Sequence, residues 1–188
     1  MYHIVMQDRS LPIDPQLTEE QQAEQQVKFQ SFLAELKQSL YDQVKEKYDN
    51  QAVVLSYQLY DAWFHPITTI KITDRSDNNV CFIYHRKEIT EAYSLEISII
   101  REIMNLITLS GETMKKPDYL MDVPPVYDGY EYRIFLSDGK DGYYIPCSNL
   151  GYAMRQKLPN AMVLIDLLNA IFSLLKVTGA DSEFFRIR

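Results

Sequence analysis

Glycine and cysteine are scarce in this chain, and each shortage excludes a class of chemistry. Six glycines in 188 residues form no Gly-rich loop of the dinucleotide-binding or P-loop type, in which backbone amides cradle phosphates. The two cysteines, Cys81 and Cys147, are too few for a disulfide scaffold and form no CxxC pair. We therefore expect both to be small buried hydrophobic side chains in a reducing compartment.

Positive charge is also in short supply. The chain has 19 Lys and Arg against 26 Asp and Glu, a formal net charge of −7 and a pI near 5.0. A nucleic-acid-binding protein normally presents a basic face, so this balance opposes that function. The same balance is compatible with a basic protein partner.

Targeting and membrane signals are missing as well. The start, MYHIVMQDRS, has no cationic head followed by a long apolar run, so we expect no secretory signal and a cytoplasmic location. The apolar segment 160–176 carries a polar stripe at Asp166, Asn169 and Ser173. It is shorter than the roughly 20 apolar residues that a membrane span requires. We expect no membrane association.

Catalytic motifs of the common kinds do not occur. The three histidines are His3, His65 and His85, and no H-E-x-x-H or G-x-S-x-G pattern is present. Asp61 lies four residues before His65, which is expected in a turn, and His85 lies too far along its strand from Cys81 for a hydrogen bond. The carboxylates Asp118, Asp122 and Asp128 fit solvated charges better than a metal site. We expect no cofactor and no metal, and the pattern favours a protein that is not an enzyme.

Helical periodicity occurs in three segments. The first, at 18–48, begins with the capping box TEEQ and is rich in Glu and Gln up to residue 30, so its first half should be solvated. The second, near 91–109, has Thr90 as a candidate N-cap and Gly111 as a candidate C-cap. The third, at 160–176, is apolar on nearly all sides, which predicts a buried helix.

Alternating residues predict the strands. Strand patterns occur at 2–6, 53–59, 70–72, 80–84, 130–136 and 143–147, and the tail EFFRIR could add an edge strand. The stretch LSDGKDGYY at 136–144 joins the last two strands and fits a hairpin turn, because Gly tolerates positive φ. Its spacing does not match a calcium-binding loop.

These segments predict an α+β fold. We expect an antiparallel sheet of about five strands packed by two apolar helices, with an additional N-terminal amphipathic helix. Residues 1–188 suit one domain, with a helical arm at 17–48 and a sheet-and-helix core at 52–188.

Tyrosine is the one residue type present in clear excess. The chain has 14 tyrosines, several of them in the segment 119–152. Tyrosine offers a large contact area, a polar tip and little conformational entropy to lose, which favours it at interfaces, although it also covers sheet faces. The predicted partner-binding residues are Tyr119, Asp122, Tyr127, Asp128, Tyr130 and Tyr144.

Three functions are compatible with these patterns. The first is a non-enzymatic, cytoplasmic protein-binding module of the inhibitor or immunity type, which binds a basic partner through an acidic, tyrosine-rich surface. The second is a small-molecule-binding protein or enzyme with a pocket between sheet and helices, using Asp61, His65 or His85. The third is a homo-oligomeric structural protein.

Overall fold

The computed structural model describes residues 1–6, 12–49, 51–75, 79–116, 120, 129–177 and 182–187. Within these residues the chain forms seven strands and four helices. In chain order they are β1 (Tyr2–Ile4), α1 (Glu19–Tyr48), β2 (Val53–Tyr60), β3 (Pro66–Thr73), β4 (Val80–His85), β5 (Glu88–Ser94), α2 (Ile97–Met114), β6 (Glu131–Ser137), β7 (Gly142–Ser148), α3 (Leu150–Gln156) and α4 (Pro159–Val177).

All seven strands belong to one mixed sheet with the order β1-β7-β6-β2-β3-β4-β5. The α+β class is confirmed. The predicted sheet of about five antiparallel strands has too few strands and lacks the parallel pair. β1 pairs with β7 in parallel, and the other neighbours pair antiparallel. The parallel pair joins strands far apart in sequence, so the local alternation of residues does not reveal it.

The start of α2 differs from the prediction because an additional strand precedes it. Thr90, the predicted N-cap, lies in β5, and the helix begins at Ile97 after an N-cap at Glu96. The β4–β5 turn passes through Arg86 and Lys87, both with positive φ. Neither is the Gly or Asn that normally indicates such a turn, so the sequence does not show this hairpin.

The end of α2 also differs. Gly111, the predicted C-cap, lies inside the helix, which continues to Met114. A Cβ atom at Gly111 would overlap the hydroxyl of the buried Tyr143 on β7. The glycine therefore allows the helix to approach the sheet closely instead of ending it.

The N-terminal helix begins as the sequence predicts. Thr18 Oγ1 accepts a hydrogen bond from Gln21 N at 3.3 Å, and Gln21 Oε1 accepts one from Thr18 N at 3.0 Å. Most residues in the first half of α1 are exposed, and its buried residues are Leu33, Val44 and Tyr48. The helix thus packs on the sheet mainly through its C-terminal half.

The main core lies on the opposite face of the sheet, under α2 and α4. By length and hydropathy, Pro159–Val177 could cross a membrane, contrary to our expectation from its length. Core helices of globular proteins share this property, and eight of its 19 residues are buried here. Those residues are Ala161, Leu164, Ile165, Leu167, Leu168, Ile171, Phe172 and Leu175.

The remaining predictions concern the last hairpin and the tail. β6 and β7 form the predicted antiparallel pair. Their turn is closed by Asp138 Oδ1, which accepts from Lys140 N and Asp141 N, and Gly139 has a φ of 86°. Residues 182–187 form turns, not the suggested edge strand. The side chains of Phe185 and Ile187 in this segment are buried and pack in the main core.

Candidate functional site

The turn between β2 and β3 presents two adjacent aromatic side chains to solvent. It comprises residues 61–65, DAWFH. Trp63, the chain's single tryptophan, is 81% exposed, and Phe64 is 62% exposed. Isolated exposed apolar residues are common, whereas neighbouring large ones more often indicate a contact surface.

Hydrogen bonds to Asp61 hold the backbone of this turn. One carboxylate oxygen, Oδ1, accepts from Trp63 N at 2.9 Å and from His65 N at 2.8 Å. The backbone adds two bonds, from Asp61 N to His65 O and from Phe64 N to Asp61 O, each 3.0 Å. Phe64 has a φ of 59°, which is unfavourable for an aromatic residue. The four hydrogen bonds offset that cost and fix the two aromatic residues in one backbone conformation.

The hydrogen bonds of this turn stabilise the ionised form of Asp61. Donation from His65 N, and then from Trp63 N, holds the pKa of the Asp61 carboxyl below its ordinary value. His65 Nδ1 lies 3.3 Å from Asp61 Oδ2. The carboxylate that we considered as a pocket residue is therefore already engaged in forming the turn.

Tyr130 lies at the same end of the sheet as this turn. Its neighbour Glu131 pairs with Tyr60 on β2, and Tyr60 also pairs with Pro66 on β3. The Tyr130 side chain is 39% exposed. We call Trp63, Phe64 and Tyr130 the aromatic end of the sheet.

Tyr144 lies elsewhere. It pairs with Phe135 in the middle of the β6–β7 ladder, on the face covered by α1. It is partly buried against the cluster that contains Tyr48 and Phe135, and burial raises the pKa of its hydroxyl. The structure therefore separates Tyr144 from Tyr130.

Four of the predicted partner-binding residues, Tyr119, Asp122, Tyr127 and Asp128, lie outside the described residues. Asp118 lies outside them as well.

Cysteine and histidine side chains are distributed through the fold. Cys81 is fully buried, and burial raises the pKa of its thiol to about 12, which keeps it protonated and unreactive. The His85 ring lies 5.5 Å from the Phe184 ring. His3 stacks on Tyr143 at 5.2 Å. Among the described residues, no three His, Cys, Asp or Glu side chains converge in a way that could hold a metal ion.

Our sequence analysis missed Trp63 and Phe64. A signal was present, because turns are usually built from Gly, Pro, Asn, Asp and Ser. Two consecutive aromatic residues between Asp61 and the His65-Pro66 pair are therefore unusual.

At one end of the sheet, Trp63, Phe64 and Tyr130 are exposed at the ends of adjacent strands. Known proteins add no family to this description, since no family model, curated protein or solved structure matches the chain.

Proposed function

We propose that this protein is a non-enzymatic binding module that docks onto a partner protein through the aromatic end of its sheet. The observation that carries the proposal is the exposure of Trp63 and Phe64 in a turn fixed by Asp61. Tryptophan and tyrosine are enriched among the residues that dominate binding energy. A contact loop that is already ordered loses little conformational entropy on binding, which improves affinity.

The net charge of −7 supports a basic partner. We propose for such a module a cytoplasmic role of the inhibitor or immunity type. A negatively charged protein attracts a basic one at long range, which mainly raises the association rate. Tyr127 and Asp128 precede Tyr130 closely in sequence, and we keep them in the proposed interface together with Tyr119 and Asp122. Tyr144, which packs under α1, is not part of this interface.

Site-specific photo-crosslinking tests the position of the interface. A photoreactive phenylalanine analogue is placed at position 64 and, as a control, at position 109, where Leu109 is 80% exposed on α2. We expect position 64 to capture one stoichiometric partner in the native lysate and position 109 to capture none. Equal capture from both positions would contradict the assignment.

Affinity measurements with the captured partner then test individual side chains. Trp63→Ala should weaken binding by about 30-fold or more, the cost of losing a residue that contributes at least 2 kcal/mol. Tyr127→Ala with Tyr130→Ala should also weaken it, and Leu109→Ala should leave it unchanged. Added salt should lower the association rate if the partner is basic. Unchanged affinity in both the Trp63 and the double tyrosine variant would overturn the proposal.

A further inference from the structure

A second surface feature lies on the sheet face that also contacts α1. Here β2, β3 and β4 and the C-terminal end of α1 surround a cavity of about 300 Å³. The strand register places Ser56 beside Lys71, and Gln58 beside Thr69, which in turn lies beside Tyr84. These side chains form one continuous patch. The complete lining is Lys47, Tyr48, Gln51, Ser56, Gln58, Pro66, Ile67, Thr68, Thr69, Lys71, Tyr84 and Lys87.

The charged residues that line this groove are all lysines. Lys47, Lys71 and Lys87 contribute three positive charges, and among the described residues no Asp or Glu lines the groove. Across the described residues, the ion pairs formed by lysines involve other positions than these three. In a chain with more acidic than basic residues, three lysines without a carboxylate partner around one cavity are an unexpected concentration of positive charge.

Two of the lysine side chains contact neighbouring residues at the groove. Lys71 Nζ donates to Gln51 Oε1 at 3.0 Å, and Lys47 Nζ lies 5.1 Å from the centre of the Tyr48 ring. Burial lowers the pKa of Lys71, and the positive charges of Arg75 and Lys47 lower it further. A bound anion would relieve this repulsion, because an opposite charge stabilises the ammonium form.

The walls of the groove add two other kinds of contact. Gln58 and Thr69 offer side-chain hydrogen-bond donors, while Pro66, Ile67 and the ring of Tyr84 offer apolar surface. A phosphate monoester carries about −1.5 to −2 charges at pH 7, which suits several lysines. The volume lies at the lower end of the roughly 300–1,000 Å³ range of small-molecule sites.

We propose that this lysine groove binds a small soluble phosphate monoester whose organic part packs against Pro66, Ile67 and Tyr84. The site is separate from the aromatic end of the sheet and does not depend on the proposed protein partner. The phosphate contacts Lys47 and Lys71, whose charges act on each other. The organic part accounts for the apolar wall, and Lys87 lies at the edge of the groove.

A titration of the full chain followed by amide NMR tests the groove, with phenyl phosphate as the ligand. We expect saturable shifts confined to amides that line the groove, those of residues 47–48, 51, 56–58, 67–71, 84 and 87. Binding should weaken about tenfold or more in Lys47→Gln with Lys71→Gln, and by a smaller factor in the single variant Lys87→Gln. The single variant changes one exposed side chain and keeps the test available if the double variant folds poorly.

The matched control removes two exposed lysines elsewhere, Lys140→Gln with Lys176→Gln, and should leave the affinity unchanged. Equal weakening in the control, or no weakening in the Lys47 and Lys71 variant, would show general charge attraction and overturn the site. Shifts that never saturate would overturn it too.

Three further ligands separate the parts of the proposal. Inorganic phosphate should bind more weakly than phenyl phosphate, and benzyl alcohol should not bind. If inorganic phosphate bound as tightly as phenyl phosphate, the apolar wall would not contribute to binding. If benzyl alcohol bound as tightly, the lysines would not contribute. Vesicles containing phosphatidic acid should not sediment the protein. Sedimentation without any phenyl phosphate shift would indicate a lipid headgroup and overturn the soluble ligand.

Discussion

Asp61 holds two aromatic side chains in positions exposed to solvent. Its carboxylate accepts from the backbone of Trp63 and His65, and this arrangement supports the positive φ of Phe64. A single short side chain thus holds this turn in one conformation.

Replacing Asp61 should loosen the turn without unfolding the protein. In Asp61→Ala, the amides of Trp63 and His65 lose their acceptor, so Trp63 should move more freely. Because Trp63 is the single tryptophan, fluorescence anisotropy decay reports on this turn alone. Asp61→Asn keeps a carbonyl acceptor and should retain most of the order. Identical decays for the Ala variant and the unmodified protein would contradict this role.

The same turn should respond to acid. Hydrogen bonds lower the pKa of Asp61 in the folded chain, so their contribution is complete above the unfolded value of about 3.9. It is lost as the pH falls through the lower, folded value. Anisotropy should therefore stay constant above pH 5 and fall only below about pH 4, whereas Asp61→Asn should lack this step.

At the scale of elements, α1 has two halves with different roles. Its N-terminal half is mostly exposed, and its C-terminal half packs on the sheet through Val44 and Tyr48. The Tyr48 and Phe135 rings stack at 3.9 Å with an interplanar angle of 3°. The helix is therefore attached to the sheet mainly at one end, the end that also borders the lysine groove.

Tyr48→Ala should be the costly substitution in α1. Tyr48 is 4% exposed, and removing a buried aromatic side chain costs about 3–5 kcal/mol of unfolding free energy. Phe32, which is 57% exposed on the same helix, is the matched control, and Phe32→Ala should change stability by less than about 0.5 kcal/mol. Urea unfolding measures both. Similar losses would show that the exposed half of α1 also packs in solution.

At the scale of the whole molecule, the two faces of the sheet are covered unequally. α2 and α4 share the main core with strands from β2 to β7, while the smaller cluster under α1 contains Val53 and Phe135. The lysine groove lies on β2, β3 and β4 beside the end of α1. The aromatic end belongs to the strand ends and the groove to a strand face, so the two proposed sites can be occupied independently.

The main core should make the protein sensitive to alkali. Burial raises the pKa of the Cys81 thiol to about 12 and also raises that of the Tyr132 hydroxyl. Because these folded values exceed the unfolded ones, about 8.5 and 10, the contribution to stability is complete below pH 8 and declines as the pH rises toward 12.

Urea unfolding at several pH values measures this decline. At pH 9.5, one unit above the unfolded thiol value, Cys81 alone should lower the unfolding free energy by about 1.4 kcal/mol. Cys81→Ala should show a smaller loss between pH 8 and 9.5. A free energy of unfolding that stays constant from pH 8 to 11 would contradict this prediction.

Local chemistry in the sequence determined a large part of this fold. Several signals act through residues that are neighbours in sequence and are therefore visible in it. They are the capping box at Thr18, the alternation in β2 to β4 and the Asp-Gly turn before β7. The class, the position of α4 and the last hairpin follow from such signals. The tyrosine excess likewise indicated Tyr130 as a surface residue, and its place in an interface stays a prediction.

Features that depend on residues far apart in sequence follow from how the elements pack. The parallel pairing of β1 with β7, the close approach of Gly111 to Tyr143 and the burial of part of Tyr144 each join segments far apart in sequence. The same holds for the groove, because Lys47 comes from α1, Lys71 from β3 and Lys87 from the turn after β4. Periodicity specifies which residues share a face of one element, but packing alone determines which faces meet and which charges converge.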